Sequence, residues 1–179
     1  MNPATQTVPG DYRQPRRTEQ VILFTVGEHL FAIAADSIAE IRSTDSLAGA
    51  AMELTNSTVP KVRHTAQRGR SSYFVVRASL HFRLPLTRPT LVFILRQTRI
   101  AVLVDAIERM ASISKLSALP QAFCGEERQW YRGLTLIDDR VVPVVNPMGF
   151  LSAQEIAILD EAVAGGAVEA LPEQESTIV

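Results

Sequence analysis

TLVFILRQTRIAVLVD, residues 90–105, is the stretch that decides how this chain folds. Two apolar runs, residues 91–95 and 100–104, flank a polar group at 96–99, and this arrangement is typical of a β-hairpin with a polar turn. The runs are rich in β-branched residues, which favours two strands over one continuous buried helix. Because every position in both runs is apolar, rather than every second one, we expect neighbouring elements to cover both faces. The hairpin is therefore predicted to lie at the centre of the fold.

Length and composition indicate a globular protein. Of its 179 residues 46% are apolar and 21% charged, which is enough for one sizeable core or two small ones that share an interface. The longest apolar runs have about five residues, far fewer than the ~18 of a membrane span, and residues 1–20 contain no signal-peptide core. We therefore expect a cytoplasmic protein without direct membrane insertion. The one cysteine, Cys124, is expected to be an incidental loop thiol.

Charge is distributed unevenly along the chain, although the net charge is only -1. No carboxylate lies between Glu53 and Asp105, and this segment, here called the basic stretch, holds nine of the 18 basic residues: Lys61, Arg63, Arg68, Arg70, Arg77, Arg83, Arg88, Arg96 and Arg99. Beyond Arg140 every charged residue is acidic: Glu155, Asp160, Glu161, Glu169, Glu173 and Glu175. The basic stretch is either a solvated face or a surface that attracts a protein helix, a nucleic acid or the chain's own acidic end.

Turn signals divide the rest of the chain into short strands and loops. Two further hairpins are predicted, over residues 21–33 and 130–145, and residues 73–76 are predicted to form another strand. Residues 44–72 contain few apolar residues and several breakers, so they are predicted to be mostly loop. Ten hairpin residues are predicted to be buried: Ile22, Phe24, Phe31, Ile33, Leu91, Phe93, Val102, Val104, Val142 and Val144.

The two ends of the chain differ from the strands between them. Residues 1–18 combine three prolines with polar side chains and are predicted to be a disordered leader. Ser152 and Glu155 form a capping-box pattern, which predicts an amphipathic helix ending near Gly165. Residues 165–179 are predicted to be an acidic disordered tail. Short strands, three hairpins and few helices together predict a mainly β protein with a pair of small antiparallel barrels.

Several stretches, taken together, resemble the CheW coupling proteins of bacterial chemotaxis and related chemosensory systems. They are VILFTVGEHLFAI (21–33) with IAEIR (38–42), the hairpin closing on VD (104–105), WYRGL (130–134) with DRVVPVVN (139–146), and SAQEIAILD (152–160). These stretches are similar to the family's opening strands and Val-x-Glu-Ile element, its Val-Val-Asp strand, its last hairpin and its closing helix. The resemblance covers roughly residues 19–164 with the order kept. No single motif is specific, so the resemblance depends on the series.

The resemblance implies two five-stranded, SH3-like barrels packed together, with a short C-terminal helix, over residues 19–164. It implies a non-catalytic adaptor that couples the cytoplasmic tips of chemoreceptors, the methyl-accepting chemotaxis proteins, to the regulatory domain of a CheA-type histidine kinase. Such an adaptor is recruited to membrane-associated receptor arrays. Arg68-Gly69 resembles the family's Arg-Gly turn. The family's Pro-x-x-Asp-Leu segment after that turn is replaced here by FVVRASL, residues 74–80, within a divergent segment 45–90.

The resemblance and the pattern together predict a receptor-binding groove where the two barrels meet. Ile38, Ala101, Ile107 and Met110 are predicted to line it, with Arg68 at its rim. Ala101 is the small residue of the central hairpin, where close approach is possible, and an apolar groove beside a charged rim suits an amphipathic helix. A rim charge such as that of Arg68 is expected to tune orientation more than affinity.

No catalytic, metal or cofactor site is predicted, nor a small-molecule substrate. His29, His64 and His81 are too widely spaced to form a helical zinc-binding pair, and no phosphate-binding loop or dinucleotide fingerprint is present. Asp105 and Glu108 are expected at a wet strand end, where neither carboxyl is tuned for acid–base work. The alternative function is a nucleic-acid-binding barrel that uses the basic stretch; its affinity would fall steeply with salt, unlike that of an apolar protein groove. An enzyme ranks third.

Overall fold

The computed structural model describes residues 17–47, 51–54 and 57–166. Most of the predicted leader, residues 1–16, and of the predicted tail, residues 167–179, lies outside the described residues. Within them the chain forms eleven strands: β1 (Glu19–Val26), β2 (His29–Ala34), β3 (Ile38–Ser43), β4 (Ala51–Glu53), β5 (Val62–Arg68), β6 (Ser71–Arg77), β7 (Leu91–Leu95), β8 (Ile100–Val104), β9 (Ala106–Ile113), β10 (Tyr131–Ile137) and β11 (Arg140–Val145). The α-helices in these residues are α1 (Ala78–His81), α2 (Glu127–Trp130) and α3 (Ala153–Gly166).

The strands form two packed sheets, which confirms the predicted mainly β, SH3-like architecture. The first sheet has the order β10-β11-β2-β1-β9 and the second the order β3-β7-β8-β6-β5-β4. Two details of the prediction are corrected. The second sheet has six strands because β4 adds to its edge, and each sheet contains one parallel pair, β2 with β11 and β6 with β8. The sheets curl like SH3 barrels, but neither closes into a continuous hydrogen-bonded ladder.

The predicted central hairpin is confirmed as β7 and β8, which lie between β3 and β6 in the second sheet. Phe93 pairs with Val102, and both face the core between the two sheets. On the opposite face Val92, Ile94 and Ala101 fill a separate core inside the second sheet. Both faces are thus buried, which is why every position of the hairpin is apolar.

Aromatic side chains fill the core between the sheets. Phe24 on β1 meets Phe93 on β7 edge to face, with ring centroids 5.3 Å apart, and Phe31 on β2 stacks on Phe82 at 4.4 Å. Of the ten residues predicted to be buried, nine are at most 7% exposed. The tenth, Leu91, is half-buried at the start of β7 and packs against the same core.

The prediction of a loop over residues 44–72 is wrong, because β4 and β5 lie within it. Strand β5 pairs along its length with β6, and a register shift occurs between Val62 and His64. Its buried residues, Val62, Thr65 and Ala66, therefore do not alternate with exposed ones, and the two-residue pattern is lost. Gly69 turns the chain between these strands with φ of 60°, as the Arg-Gly pattern predicted.

Two further local predictions have different outcomes. The capping box is confirmed: the Ser152 hydroxyl accepts from the Glu155 N–H at 3.1 Å, and the Glu155 carboxylate accepts from the Ser152 N–H at 2.8 Å. Trp130, predicted to open the last hairpin, instead ends the single-turn helix α2 and is 6% exposed. None of the described helices has the length and hydropathy of a membrane span.

Candidate functional site

The structure divides the five predicted groove residues into two groups. Ile38 and Ala101 are 6% and 1% exposed, whereas Arg68, Ile107 and Met110 lie at the surface. Ala101 points into the core inside the second sheet, so its side chain is closed to a partner. Ile38 belongs to the core between the sheets. The lining predicted from the sequence is corrected accordingly: only the exposed residues can touch a bound protein.

Ile107 and Met110 sit on the edge strand of the first sheet. Met110 pairs with Ile22 and Ile107 with Phe24 across β1 and β9. Paired residues of adjacent strands point to the same face, and both Ile22 and Phe24 lie in the core between the sheets. Strand β9 therefore extends this apolar face beyond the cover of the second sheet. As a result Ile107 is 36% and Met110 58% exposed.

Ile41, on an edge strand of the second sheet, is a third exposed apolar residue. It pairs with Phe93, also a residue of the core between the sheets, yet it is 40% exposed because β3 is an edge strand. The Thr44 N–H bonds to the Thr90 carbonyl at 2.9 Å, and the Thr90 hydroxyl donates to the Asp105 carbonyl. These bonds hold the end of β3 at the start of β9. We call Ile41, Ile107 and Met110 the junction surface.

Ile41 was not among the predicted groove residues. A register shift between Ile38 and Glu40 places Ile38 and Ile41 on one face, although they are three residues apart. Simple alternation would put them on opposite faces. The sequence contains the two isoleucines, but they indicate a common face only when the register shift between Ile38 and Glu40 is known.

Ion pairs flank the junction surface along β9. Glu108 pairs with Arg140 at 2.7 Å, and Arg109 pairs with Asp138 in the β10–β11 turn. They link the two edges of the first sheet by side chains where no backbone ladder closes it. Beside an apolar strip, such paired charges form a polar rim that selects for partner orientation.

A second group of charges lies beside Ile41. Glu40 accepts from Arg42 at 2.5 Å and from Arg68 at 2.8 Å, so one carboxylate joins β3 to β5. The hydrogen bond from Arg42 first, and then the charge of Arg68, lower the pKa of Glu40. The Tyr73 hydroxyl first, and then Glu40, raise the pKa of Arg68. The predicted rim residue Arg68 is therefore held in place, with 42% of its side chain exposed.

Charges that are separated along the chain meet in the folded structure. Four of the nine basic-stretch residues pair with carboxylates from outside it: Lys61 with Glu155, Arg68 with Glu40, Arg83 with Glu126, and Arg99 with Asp160. The guanidinium of Arg96 donates to the Ile38 carbonyl at 3.0 Å. Side chains engaged in this way are less available to neutralise phosphates, so the structure weakens the nucleic-acid alternative.

Asp105 and Glu108, the two carboxylates expected at a strand end, each have a structural partner. Asp105 accepts from the Gly27 N–H at 2.6 Å and from the Thr87 hydroxyl at 2.7 Å, which braces the β1–β2 turn. Glu108 is the partner of Arg140. Within the described ranges no three His, Cys, Asp or Glu side chains are placed to hold a metal ion. The candidate site therefore consists of the exposed apolar side chains of the junction surface, flanked by ion pairs.

Comparison with known proteins agrees with this architecture. The chain superimposes on the crystal structure of the scaffolding protein TtCheW from Thermoanaerobacter tengcongensis with a TM-score of 0.62, over 73% of this chain and 90% of that one. The two sequences are 12% identical, so the similarity establishes a shared fold. A search of curated proteins gave no match. A family model described as CheW-like domain matches residues 20–155, most of the chain, and the protein therefore belongs to the CheW-like domain family.

Proposed function

We propose that this protein is a non-catalytic adaptor that couples the cytoplasmic tips of chemoreceptors to the regulatory domain of a CheA-type histidine kinase. It acts in the cytoplasm, recruited to membrane-associated receptor arrays. Membership of the CheW-like domain family supports this role. The observation that carries the proposal is the junction surface, whose apolar side chains lie on edge strands and are exposed.

The junction surface fits the receptor because a receptor tip is a helical hairpin with an apolar face. Ile41, Ile107 and Met110 come from two edge strands, and paired charges flank them. An amphipathic helix binds by placing apolar side chains in such a strip while its polar flanks meet the rim. Met110, the most exposed of the three, is assigned the role of anchor, and Arg68 that of orienting charge.

The kinase needs a separate surface, since an adaptor holds both partners at once. The opposite edge of the first sheet offers one. Leu136 on β10 and Val141 on β11 pair directly across the strands and are 65% and 66% exposed. This exposed apolar pair lies beside the β10–β11 turn, and we assign it to the kinase's regulatory domain, which has a similar fold in this family.

Two reciprocal substitutions test the assignment. Met110→Asp should weaken binding to a purified receptor cytoplasmic fragment at least about tenfold, or about 1.4 kcal/mol, while leaving kinase binding unchanged. Val141→Asp should do the reverse. Both side chains are largely exposed, so neither change buries a charge, and urea unfolding should confirm an intact fold. Binding is measured by titration with each purified partner separately.

Met148→Asp is the matched control, because Met148 is 66% exposed and belongs to neither surface. It should bind both partners as the wild type does. If Met110→Asp keeps wild-type affinity for the receptor, the receptor site lies elsewhere. If the wild-type protein binds neither partner, the adaptor function itself is refuted.

A further inference from the structure

A concave site lies at the second sheet, and Thr44 and Thr87 form part of its lining. Its volume is about 480 Å³. Leu47, Val75 and Leu103 form its apolar part, and His64, Arg77 and Arg88 supply basic side chains. No carboxylate lines it. We call these six residues the basic pocket.

The basic pocket brings two basic-stretch arginines, Arg77 and Arg88, to one concave surface that no carboxylate lines. Neither Arg77 nor Arg88 takes part in the eight ion pairs formed among the described residues. Two guanidinium groups at one concave surface attract an anionic group, and the apolar part favours an occupant that also carries an aliphatic side chain. An acidic peptide segment with an aliphatic residue meets both requirements.

The acidic C-terminal end of this chain already pairs with the basic stretch where the structure describes it. Glu155 lies 3.0 Å from Lys61, and both carboxylate oxygens of Asp160 accept from Nη2 of Arg99, at 2.7 and 2.8 Å. Further along, residues 167–179 read AVEALPEQESTIV and contain three glutamates and no basic residue. We therefore expect the three glutamates of residues 167–179 to be attracted to the basic stretch, as Glu155 and Asp160 are.

We propose that residues 167–179 of the chain dock in the basic pocket. In an extended segment alternate side chains point to the same side, so Leu171, Glu173 and Glu175 present one face. Glu173 and Glu175 then pair with Arg77 and Arg88. The contact blocks the pocket against acidic segments of other proteins.

The length of the chain permits this contact. Lys61, the partner of Glu155, accepts a backbone hydrogen bond from Arg77 at 2.8 Å, so the first turn of α3 lies beside the pocket wall. Gly166 is 11 residues beyond Glu155, or about 16 Å along the helix. Seven extended residues from Gly166 to Glu173 span about 23 Å, enough to return along α3. Because the segment is tethered, its effective concentration at the pocket is of order millimolar.

Paramagnetic relaxation in the full-length protein tests the proposal. A nitroxide is attached at Ser176→Cys in a Cys124→Ser background, since Cys124 is an exposed free thiol. Amide signals of Val75, Arg77 and Leu103 should broaden at low salt. They should recover near 1 M salt, where the screening length falls to about 3 Å.

Substitutions identify the contacts. Glu173→Gln with Glu175→Gln should abolish the broadening without touching the folded body, and Arg77→Gln with Arg88→Gln should do the same. Arg70→Gln is the matched control, an exposed basic residue of the β5–β6 turn outside the pocket, and should leave the broadening intact.

Two results would overturn the proposal. One is the absence of broadening at the pocket amides at low salt. The other is broadening of equal size when spin-labelled protein without ¹⁵N is mixed with unlabelled ¹⁵N protein, since the occupant would then come from a second copy of the chain.

Discussion

Lowering the pH from 7 to 5 should destabilise the protein through one buried histidine, His81 in α1. It is 2% exposed and lies against the rings of Phe82, Trp130 and Phe150, at centroid distances of 4.8, 5.0 and 4.8 Å. Its Nδ1 atom is 3.5 Å from Nζ of Lys61, a contact that suits a neutral ring accepting from the ammonium group. Burial first, and then the charge of Lys61, lower the pKa of His81 to about 3.

The size of the effect follows from proton linkage. In the unfolded chain histidine has a pKa of about 6.5, so between pH 6.5 and pH 3 the unfolded state binds a proton that the folded state does not. The free energy of unfolding therefore falls with falling pH, by about 1.4 kcal/mol per pH unit in this window. Between pH 7 and pH 5 the loss due to His81 is about 2 kcal/mol, a large part of the about 5–15 kcal/mol that stabilises a typical domain.

Urea unfolding at the two pH values measures this loss, with the fluorescence of Trp130, the only tryptophan, as the probe. The comparison is with His81→Leu, which removes the titrating ring. Carboxylates titrate in both proteins, so their contributions cancel in the difference. The wild type should lose about 2 kcal/mol more than His81→Leu.

His29→Gln is the matched control, because His29 is exposed at the start of β2 and its loss should not change the wild-type pH dependence. Equal losses for the wild type and His81→Leu would show that His81 is not held as a buried neutral ring. A loss that is larger for His81→Leu would contradict the sign of the linkage.

Three further outcomes concern stability and are measured by urea unfolding with circular dichroism. Phe93→Ala should cost about 3–5 kcal/mol, because Phe93 is 1% exposed and contacts Phe24 across the sheets; a cost below about 1 kcal/mol would refute its central place. Ala101→Asp should unfold the protein, since it places a carboxylate without a partner in the core inside the second sheet, and a folded variant would contradict that burial. Ser152→Ala should cost about 1 kcal/mol by removing the acceptor for the Glu155 N–H, whereas Ser152→Thr, which keeps the hydroxyl, should cost less.

Sequence pattern was sufficient wherever the signal was local and continuous. The central hairpin was predicted because ten apolar residues around a polar turn leave few other structures, and the capping box because its two partners are three residues apart. Strand β5 was missed because its hydrogen bonds depend on β6 and its register shift removes the alternation.

The candidate site required distances that the sequence does not contain. Ile107 and Met110 of the predicted lining are exposed, but Ala101 is buried, because a small apolar residue in a strand carries no sign of which core it faces. Ile41 was left out because a single bulge decides its face. Whether one face of an edge strand is buried depends on whether the other sheet covers it, and only the tertiary packing decides this.

By itself, the sequence determined the three hairpins, the burial of both faces of the central one, the C-terminal helix and the resemblance to the CheW coupling proteins. These follow from hydrophobic periodicity and turn residues, which act over a few positions. The tertiary structure alone decided that Glu155 and Asp160 neutralise Lys61 and Arg99, and that His81 lies beneath an aromatic cluster. Electrostatic and desolvation energies depend on distance in space and on burial. Folding brings Lys61 to 3.0 Å from Glu155 and Arg99 to 2.7 Å from Asp160, although each pair is far apart in the sequence.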